Sequence, residues 1–365
     1  MRPMELDDIR ARLSAIDRQI VELVAERQAL AEQVGAVKQA AGLPTRDYQR
    51  EKQVLEAAAR QAAALGLPPS VAEALMRLLI ESALTRQERA RVRAEGRGHG
   101  QRALVIGGAG KMGLWFADFL DSQGYAVTIA DPAPAPPGFQ AVSDWRETAD
   151  EFELTVVAAP IVASAAILDA LAAAGRRGLI FDIGSLKSPL LAPLRRLADS
   201  GARVTSLHPM FGPDTELLSG RHVLFLDAGV PEATAEAREL FASTMAEQIE
   251  MPVDEHDRLI AYVLGLSHAL NIAFFTALAD SGEALPKLAE LSSTTFDAQL
   301  RVAASVAAEN PHLYFEIQSE NPHGPGALAA LREAVNRVAA VVEAGDEQAF
   351  VQLMERGRDY FARRA

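Results

Sequence analysis

The chain has no cysteine among its 365 residues, which excludes disulfides, thiolate metal sites and a cysteine nucleophile. Positive charge is in the minority, since 36 Lys and Arg against 49 Asp and Glu give a formal net charge of −13. This balance argues against nucleic acid as the main partner. The N-terminal segment MRPMELDDIRARL has no apolar signal core, and uninterrupted apolar stretches fall short of the roughly 20 residues that span a bilayer. We therefore expect a cytoplasmic protein without a membrane partner.

Apolar residues make up 49% of the chain, which is typical of folded globular proteins, and the length favours two or three domains. Residues 86–102 (RQERARVRAEGRGHGQR) are rich in arginine, contain three glycines and lack a sustained apolar period. Such a segment favours a linker or the basic end of a helix. We place the boundaries at 1–92 for a helical domain, 93–101 for the linker, 102–255 for a nucleotide-binding domain and 256–365 for a second helical domain.

The first forty residues carry apolar side chains at alternating intervals of three and four. These are Leu6, Ile9, Leu13, Ile16, Ile20, Leu23, Leu30, Val34 and Val37. The spacing predicts one long amphipathic helix, ended by Gly42 and Pro44, with further helices at about 47–65 and from about 69 to 84. Three helices of one chain cannot bury so long a stripe, so we expect a second copy of the chain to cover the remainder.

Arg27 occupies the seam position where the repeat after Leu23 predicts another apolar residue. A cation there is costly unless it is paired or binds an anion. Lys38 follows by eleven residues, or three turns, and lies on nearly the same face, whereas Arg10 lies about 100° away and is expected to serve a different site. Any one of these charges, taken singly, is most often a solvated surface residue.

The segments IRARLSAID, LVAERQALAEQVGAVK and RDYQREK resemble the all-helical chorismate mutases, over the first 90 residues. The resemblance implies that Arg10 meets a substrate carboxylate in the partner's active site and that Arg27 binds a carboxylate within its own chain. It also implies that Lys38 lies near the carboxylate and ether oxygen, and that Glu51 lies on the ring hydroxyl. The other positions that match are Asp47, Arg50 and Ser82. Arg86 aligns with a further site position, at which the family often has Gln or Glu.

The chemistry suits a cluster of cations. Chorismate rearranges to prephenate by a pericyclic shift, which needs no nucleophile, no general base and no metal. The catalyst must hold a dianion in a compact conformation and stabilise charge growing on the ether oxygen. Arginine binds carboxylates bidentately through its planar fork. A domain that only dimerises or regulates is the alternative, and Arg86 is its best support.

A short apolar run, ALVI at 103–106, precedes GGAGKMG and the helical pattern LWFADFLDSQG. Gly108, Gly110 and Gly113 form G-x-G-x-x-G in a strand–turn–helix context, which predicts a dinucleotide site. The next strand, YAVTIAD, ends in Asp131, whose carboxylate would accept from the ribose hydroxyls of NAD and repel the extra phosphate of NADP. We therefore predict NAD as cofactor; the alternative is an ordinary turn with packing glycines. Further cofactor candidates are Lys111, Met112 and Pro160.

Further apolar runs predict buried strands at 154–161, 179–183 and 222–227. Helical stretches between them favour a parallel, doubly wound α/β sheet of the Rossmann type, whose ligand lies at the carboxyl ends of the strands. Residues 159–161, 182–187 and 207–214 fall at those ends.

LHPMFGPD (207–214), with DIGSLKSP, EHDRLIA and the glycine-rich turn, resembles the prephenate dehydrogenases over roughly 102–365. The resemblance implies that His208 hydrogen-bonds the ring hydroxyl of prephenate and that Ser185 positions this histidine. Substrate-side or cofactor-side positions that it implies are Lys187, His256, His268, Tyr314 and, more weakly, Gln318. Ser305 stands where the family has a carboxylate-binding arginine, and Arg301, one turn earlier, is the candidate replacement.

His208 suits the reaction. Hydride leaves the carbinol carbon while the hydroxyl becomes a carbonyl, so its proton needs an acceptor, and an ordinary imidazole with a pKa of ~6.5 provides one. Loss of the ring carboxylate then yields a phenol, which makes the step effectively irreversible. Arogenate, with an amino group in place of the side-chain keto oxygen, is the alternative substrate.

The chain is predicted to be helical from about His256, with a second helix over LSSTTFDAQLRVAASVAAE and a last one from about 325 to 363. The first is apolar almost all round but is interrupted by Gly265, Ser267, His268 and Asn271. We predict that it is buried between two subunits rather than in a membrane. The family resemblance implies dimerisation through this domain, so both ends of the chain favour a homodimer.

Overall fold

A computed structural model of the chain describes residues 6–148 and 151–363. The chain divides into two compact units. The first comprises residues 1–159, 167–183 and 196–250, and the second comprises 160–166, 184–195 and 251–365. The predicted fold class, with helices at both ends and an α/β sheet in the middle, is confirmed.

Three helices begin the chain: α1 (Leu6–Ala40), α2 (Tyr48–Ala64) and α3 (Pro69–Ala94). The chain leaves α1 through Gly42, whose φ of 65° favours glycine. Asp47 caps α2, since its side chain accepts a hydrogen bond from the Arg50 amide at 2.9 Å. The apolar stripe of α1 is largely exposed in the single chain, with Leu13 at 55% and Leu23 at 64%.

The structure extends α3 ten residues beyond Leu84, to Ala94, so the basic segment that starts at residue 86 is at first the end of a helix, which was the alternative to a linker. Val92 lies in the hydrophobic core of the sheet, and Glu88 is only 4% exposed. The Glu88 carboxylate accepts hydrogen bonds from the backbone amides of Leu218, at 2.8 Å, and Met245. The buried residues of this helix end are one carboxylate and one valine. They form no repeating apolar pattern, so the sequence analysis could not detect that the helix continues.

We expect Glu88→Ala to lower the apparent free energy of unfolding by about 2 kcal/mol, because it leaves one buried and one part-buried N–H group without their acceptor. Urea unfolding followed by tryptophan fluorescence measures the change. Glu81→Ala, an exposed carboxylate on the same helix, is the control and should change little.

Burial raises the pKa of Glu88, while the hydrogen bonds from Leu218 and Met245 oppose the rise. The folded chain therefore binds this proton more tightly than the unfolded chain. The Glu88 contribution to stability is greatest below the ordinary carboxyl pKa and declines as pH rises through the folded-state pKa. The stability difference between wild type and Glu88→Ala should thus be larger near pH 4.5 than near pH 7.5. A difference that grows with pH would contradict this assignment.

The middle of the chain forms one eight-stranded sheet in the order β3-β2-β1-β4-β5-β6-β7-β8. Its elements in chain order are β1 (Arg102–Ile106), α4 (Lys111–Ser122), β2 (Ala126–Ala130), β3 (Gln140–Val142), β4 (Leu154–Val157), α5 (Ile161–Ala173), β5 (Leu179–Asp182), α6 (Leu191–Asp199), β6 (Arg203–Pro209), β7 (His222–Asp227), α7 (Pro231–Glu239) and β8 (Glu247–Pro252). The first six strands are parallel and follow the 3-2-1-4-5-6 order of doubly wound dinucleotide sheets. The carboxyl ends of β1, β4, β5 and β6 therefore share one edge.

The strand β7 departs from the predicted parallel sheet, because it pairs antiparallel with β6. A loop without a helix joins the two strands. Parallel neighbours need a long crossover, usually helical, whereas a loop is sufficient to reverse the chain.

The C-terminal helices are α8 (Val253–Ile260), a π-helical turn (Ala261–Leu266), α9 (Ser267–Asp280), α10 (Leu285–Glu290), α11 (Thr294–Ala307), α12 (Pro311–Ser319), α13 (Gly324–Glu343) and α14 (Glu347–Ala362). The single last helix predicted for 325–363 is wrong. Gly345, at φ 64°, ends α13, and the Asp346 side chain caps α14 by accepting from the Ala349 amide at 2.9 Å.

The run Val253–Asp280 is long and apolar enough to cross a membrane, with a mean hydropathy of 1.6 in a window that is 28% buried. The sequence analysis expected no segment to be long and apolar enough to span a membrane, and by length and composition this run is. One such run is weak evidence for a membrane, because core helices of soluble proteins pass the same test.

Candidate active sites

The glycine-rich turn connects β1 to α4. Gly107 has a φ of 82°, and a Cβ on it would lie 2.7 Å from the Ala158 carbonyl oxygen. Gly107, which directly precedes the first glycine of the motif, therefore adopts the left-handed conformation of the turn. A Cβ on Gly108 would lie 2.8 Å from the Ile129 side chain, and one on Gly113 would lie 2.2 Å from the Gly107 carbonyl oxygen. At Gly113, α4 therefore packs closely against the turn.

Gly110 caps α4, and its backbone is exposed at the helix N-terminus, where N–H groups and the helix dipole favour an anion. Lys111 is the exposed first residue of α4, and Met112 packs against the core. Pro160 is exposed just after β4. A turn in which side chains would clash, at the point where the strand order reverses, fits the pyrophosphate of a dinucleotide.

Asp131 follows β2 and faces this turn. Its Oδ2 accepts a hydrogen bond from the Ala109 amide at 3.1 Å, and its Oδ1 accepts from the Ala133 amide at 2.8 Å. Both bonds hold the carboxylate beside the turn. This placement fits the prediction that the Asp131 carboxylate accepts hydrogen bonds from the ribose hydroxyls of NAD.

His208 lies at the carboxyl end of β6 and is 4% exposed. Two residues earlier on the same face of the strand, the Ser206 hydroxyl donates to Asp182 Oδ1 at 2.5 Å. Asp182, at the end of β5, is fully buried. The sequence analysis placed Asp182 at the end of a strand but gave it no role, because its partner Ser206 lies 24 residues away in the sequence.

The loop after His208 is fixed at three points by residues that the sequence did not single out. The indole of Trp115 donates to the Thr215 carbonyl at 3.0 Å, and Glu88 holds the Leu218 amide. The Arg46 guanidinium donates to the Ser219 hydroxyl at 2.7 Å. The first of these contacts comes from α4, the second from α3, and the third from the loop between α1 and α2.

In the second unit, Asp257 is the centre of a buried cluster. His256 Nδ1 lies 2.7 Å from Asp257 Oδ1, and the backbone amides of Lys187 and Ser188 donate to the same carboxylate at 2.9 and 2.6 Å. Despite desolvation, hydrogen bonds from His256 and Ser188 hold the pKa of Asp257 at about 2. Lys187 and His256 are both fully buried, and Ser185 is half-buried in the same segment.

A second group in this unit joins α9 to α12. The His268 and Tyr314 rings stack at 4.0 Å between centroids, and Gln318 Nε2 donates to the Gly265 carbonyl at 2.8 Å. Burial lowers the pKa of His268 and favours its neutral form. Two buried polar atoms here, His268 Nδ1 and Gln318 Oε1, make no hydrogen bond within the described residues. Arg301 is exposed on α11.

Within one chain, the candidate residues for the mutase site make separate local contacts. Arg27 is half-buried and donates to the Leu79 carbonyl of α3 at 3.0 Å, and Lys38 donates to the Thr45 carbonyl at 3.0 Å. Arg86 pairs with Glu32 at 2.7 Å. Lys38 lines a small cavity of about 80 Å³, whereas Ser82 and Arg86 line a separate one of about 620 Å³.

The Glu51 carboxylate accepts two hydrogen bonds from Arg46, from Nε to Oε1 and from Nη2 to Oε2, at 2.9 Å each. This bidentate pair holds the carboxylate in one orientation. Asp47 is occupied with capping α2, while Arg50 and Arg10 are exposed, the latter 3.6 Å from Asp7.

Three family models match the chain. One described as chorismate mutase type II matches residues 9–88. Two described as the nucleotide-binding and dimerization domains of prephenate dehydrogenase match residues 137–247 and 252–356. The glycine-rich turn precedes the second range, so its assignment depends on motif and geometry.

Curated relatives extend over the whole chain or over its dehydrogenase part. The T-protein of Enterobacter agglomerans is 27% identical over 365 residues, covering 98% of this chain and 93% of the relative. A 4-amino-4-deoxyprephenate dehydrogenase of Streptomyces pristinaespiralis is 33% identical over 263 residues, covering 69% of this chain and 88% of the relative. Among solved structures, A. aeolicus prephenate dehydrogenase with hydroxyphenyl propionate and NAD+ gives a TM-score of 0.58 at 18% identity, covering 72% of this chain and 98% of that chain.

Proposed function

The chain belongs to the prephenate dehydrogenase family with a chorismate mutase domain in front, and from this premise we propose how its residues share two consecutive reactions. Chorismate is rearranged to prephenate, which is then oxidatively decarboxylated to 4-hydroxyphenylpyruvate with NAD, in tyrosine biosynthesis. Both resemblances inferred from the sequence are confirmed. The residue roles below are proposals.

For the mutase step, the observation that carries most weight is Arg27, a half-buried cation in an apolar helix seam. We propose that Arg27 and Lys38 bind one carboxylate and the ether oxygen, with Arg10 supplied by a second copy. Glu51, oriented by Arg46, accepts from the ring hydroxyl. Ser82 and Arg86 complete the set, together with Asp47 and Arg50. These groups hold the dianion compact and stabilise developing charge, which is all that the rearrangement requires.

For the dehydrogenase step, NAD when bound accepts hydride from the carbinol carbon. The residues that would hold it are Asp131 and the glycines at 108, 110 and 113, with the amide end of α4 toward the pyrophosphate. We propose that His208 takes the hydroxyl proton through its imidazole, in surroundings that burial keeps dry. Ser185, Lys187 and His256 are proposed as substrate-side or cofactor-side residues.

The two unpartnered atoms of His268 and Gln318 support a polar ligand beside α9 and α12, because buried polar atoms are rarely left unpaired. We propose that they bind polar groups of the substrate, with Tyr314 stacked behind His268. Arg301 is the proposed cation for a carboxylate.

We expect kcat/KM to favour NAD over NADP by tenfold or more, because Asp131 would repel the 2′-phosphate and no Lys or Arg follows within ten residues. Initial rates with saturating prephenate and varied cofactor measure the ratio. Asp131→Ala should narrow it, while Asp118→Ala, an exposed acid on α4, serves as the control. Equal kcat/KM for the two cofactors in the wild type would contradict the proposal that Asp131 selects NAD over NADP.

The proposed function as a whole is tested with the purified full-length chain, chorismate and NAD. Chorismate loss and NADH appearance are followed separately, and then NADH appearance from added prephenate. Chorismate loss without NADH would leave only the mutase, whereas NADH from prephenate without chorismate loss would leave only the dehydrogenase and a non-catalytic N-terminal domain.

A second candidate substrate is 4-amino-4-deoxyprephenate, in which an amine replaces the ring hydroxyl. The observation that supports it is the 33% identity over 263 residues to the Streptomyces pristinaespiralis enzyme. Arogenate, which differs in the side chain, is a third. Comparison of kcat/KM for the three compounds with NAD decides among them.

We propose that the chain acts as a homodimer in the cytoplasm. The dimerization-domain match and the exposed apolar stripe of α1 support two copies. Light scattering of the purified protein gives the mass directly.

A further inference from the structure

Asp257 is a buried acid whose carboxylate is hydrogen-bonded both to a side chain, His256, and to two backbone amides, those of Lys187 and Ser188. Its Oδ1 lies 2.7 Å from His256 Nδ1 and 2.9 Å from the Lys187 amide. Its Oδ2 accepts from the Lys187 amide at 3.1 Å and the Ser188 amide at 2.6 Å. Asn321 donates to the Asp257 backbone carbonyl at 2.9 Å, which fixes the main chain at the same point.

We propose that Asp257 is a positioning residue of the dehydrogenase, which holds the buried His256 in its Nδ1–H tautomer and ties it to the segment of Lys187 and Ser188. An ionised carboxylate only accepts hydrogen bonds, so the ring nitrogen 2.7 Å from it must carry a proton. In the neutral ring, Nε2 then presents a lone pair. The group that Nε2 meets must be a hydrogen-bond donor.

The state of Asp257 supports this assignment. Its pKa of about 2 leaves it ionised throughout the range in which the enzyme would be assayed. Asp254, on the same helix, is exposed and pairs with Arg195 at 3.2 Å, so its carboxylate is held by another partner.

The variant Asp257→Asn separates tautomer control from simple packing. The amide has one oxygen and one NH₂ group, and the backbone amides of Lys187 and Ser188 can only donate. The oxygen must therefore face those amides, which places the NH₂ group against His256 Nδ1. The imidazole relieves the clash by moving its proton to Nε2, so the fold is kept while the tautomer is reversed. In a serine protease triad the equivalent exchange lowers kcat about 10⁴-fold.

The test rests on the proposed role of His256, so wild-type NADH formation from prephenate is established first. We then expect Asp257→Asn to lower kcat for NADH formation at least ~10²-fold, with KM values little changed and chorismate loss unaffected. Nitrogen-15 NMR of the histidine rings should show His256, identified by its loss in His256→Gln, as Nδ1–H in wild type and Nε2–H in the variant. Asp254→Asn, on the same helix, should change none of these quantities.

An Nε2–H ring in the wild type would overturn the proposal without any variant, even if Asp257→Asn failed to fold. Wild-type kcat in a folded Asp257→Asn would also overturn it, as would a fall in kcat with the tautomer unchanged. Absence of NADH formation in the wild type would instead refute the dehydrogenase assignment, which is a distinct outcome.

Discussion

Replacement of His208 by asparagine is expected to lower kcat for NADH formation from prephenate by ~10²-fold or more, the usual size of a lost general-base contribution. His208 is the buried imidazole at the carboxyl end of β6, where the sheet presents its ligand edge. Asparagine can still hydrogen-bond the ring hydroxyl but cannot take its proton. KM for prephenate and for NAD should therefore stay close to wild-type values.

The pH profile distinguishes a base from a structural histidine. In wild type, the low-pH limb of kcat would report protonation of the base, and it should disappear in His208→Asn. If His208 only fixed the turn into Pro209, the variant would lose substrate binding or stability but would keep the low-pH limb of its kcat profile. Steady-state kinetics from about pH 5 to pH 9 on both proteins provide the comparison, with chorismate loss as the control for folding. Wild-type kcat in the variant would remove His208 from the mechanism.

Replacement of Arg27 by alanine is expected to lower mutase kcat/KM by roughly 10²-fold or more, the size of one lost donor to developing charge, and to leave NADH formation from prephenate nearly intact. The guanidinium is half-buried in the α1 seam beside α3. Its removal need not unfold the helices, because Gln28 Nε2 also donates to the Leu79 carbonyl, at 3.3 Å.

Chorismate disappearance and NADH formation, measured on the same preparation of the full-length variant, test this expectation. Arg18→Ala removes an exposed cation from the same helix and should leave both activities unchanged. Equal loss of both activities in a folded Arg27→Ala would mean that the two sites are not independent. An unchanged mutase activity would mean that the seam cation is structural.

Features that depend on local spacing could be predicted from the sequence. Examples are the α1 seam with Arg27, the glycine-rich turn with Asp131, and His208 at the end of a buried strand. Each is a periodic or motif signal contained in one continuous stretch of sequence. The turn shows the limit of such signals: the motif located it, but only the backbone showed that Gly107 takes the left-handed conformation. A motif specifies residue types and leaves the dihedral angles open.

The contacts that organise the two units were decided by the tertiary structure alone. Glu88 and Leu218 lie 130 positions apart, and Asp257 and Lys187 lie 70 apart. In both pairs a carboxylate accepts from backbone amides, which every residue except proline carries, so no partner residue type marks the contact in the sequence. The antiparallel β7 was missed for a related reason, since strand direction depends on how a connection crosses the sheet. The sequence by itself determined the fold class, the family and the candidate residues for the two reactions, because these depend on local motifs and periodicity. The tertiary structure decided which carboxylates hold the surrounding segments in place.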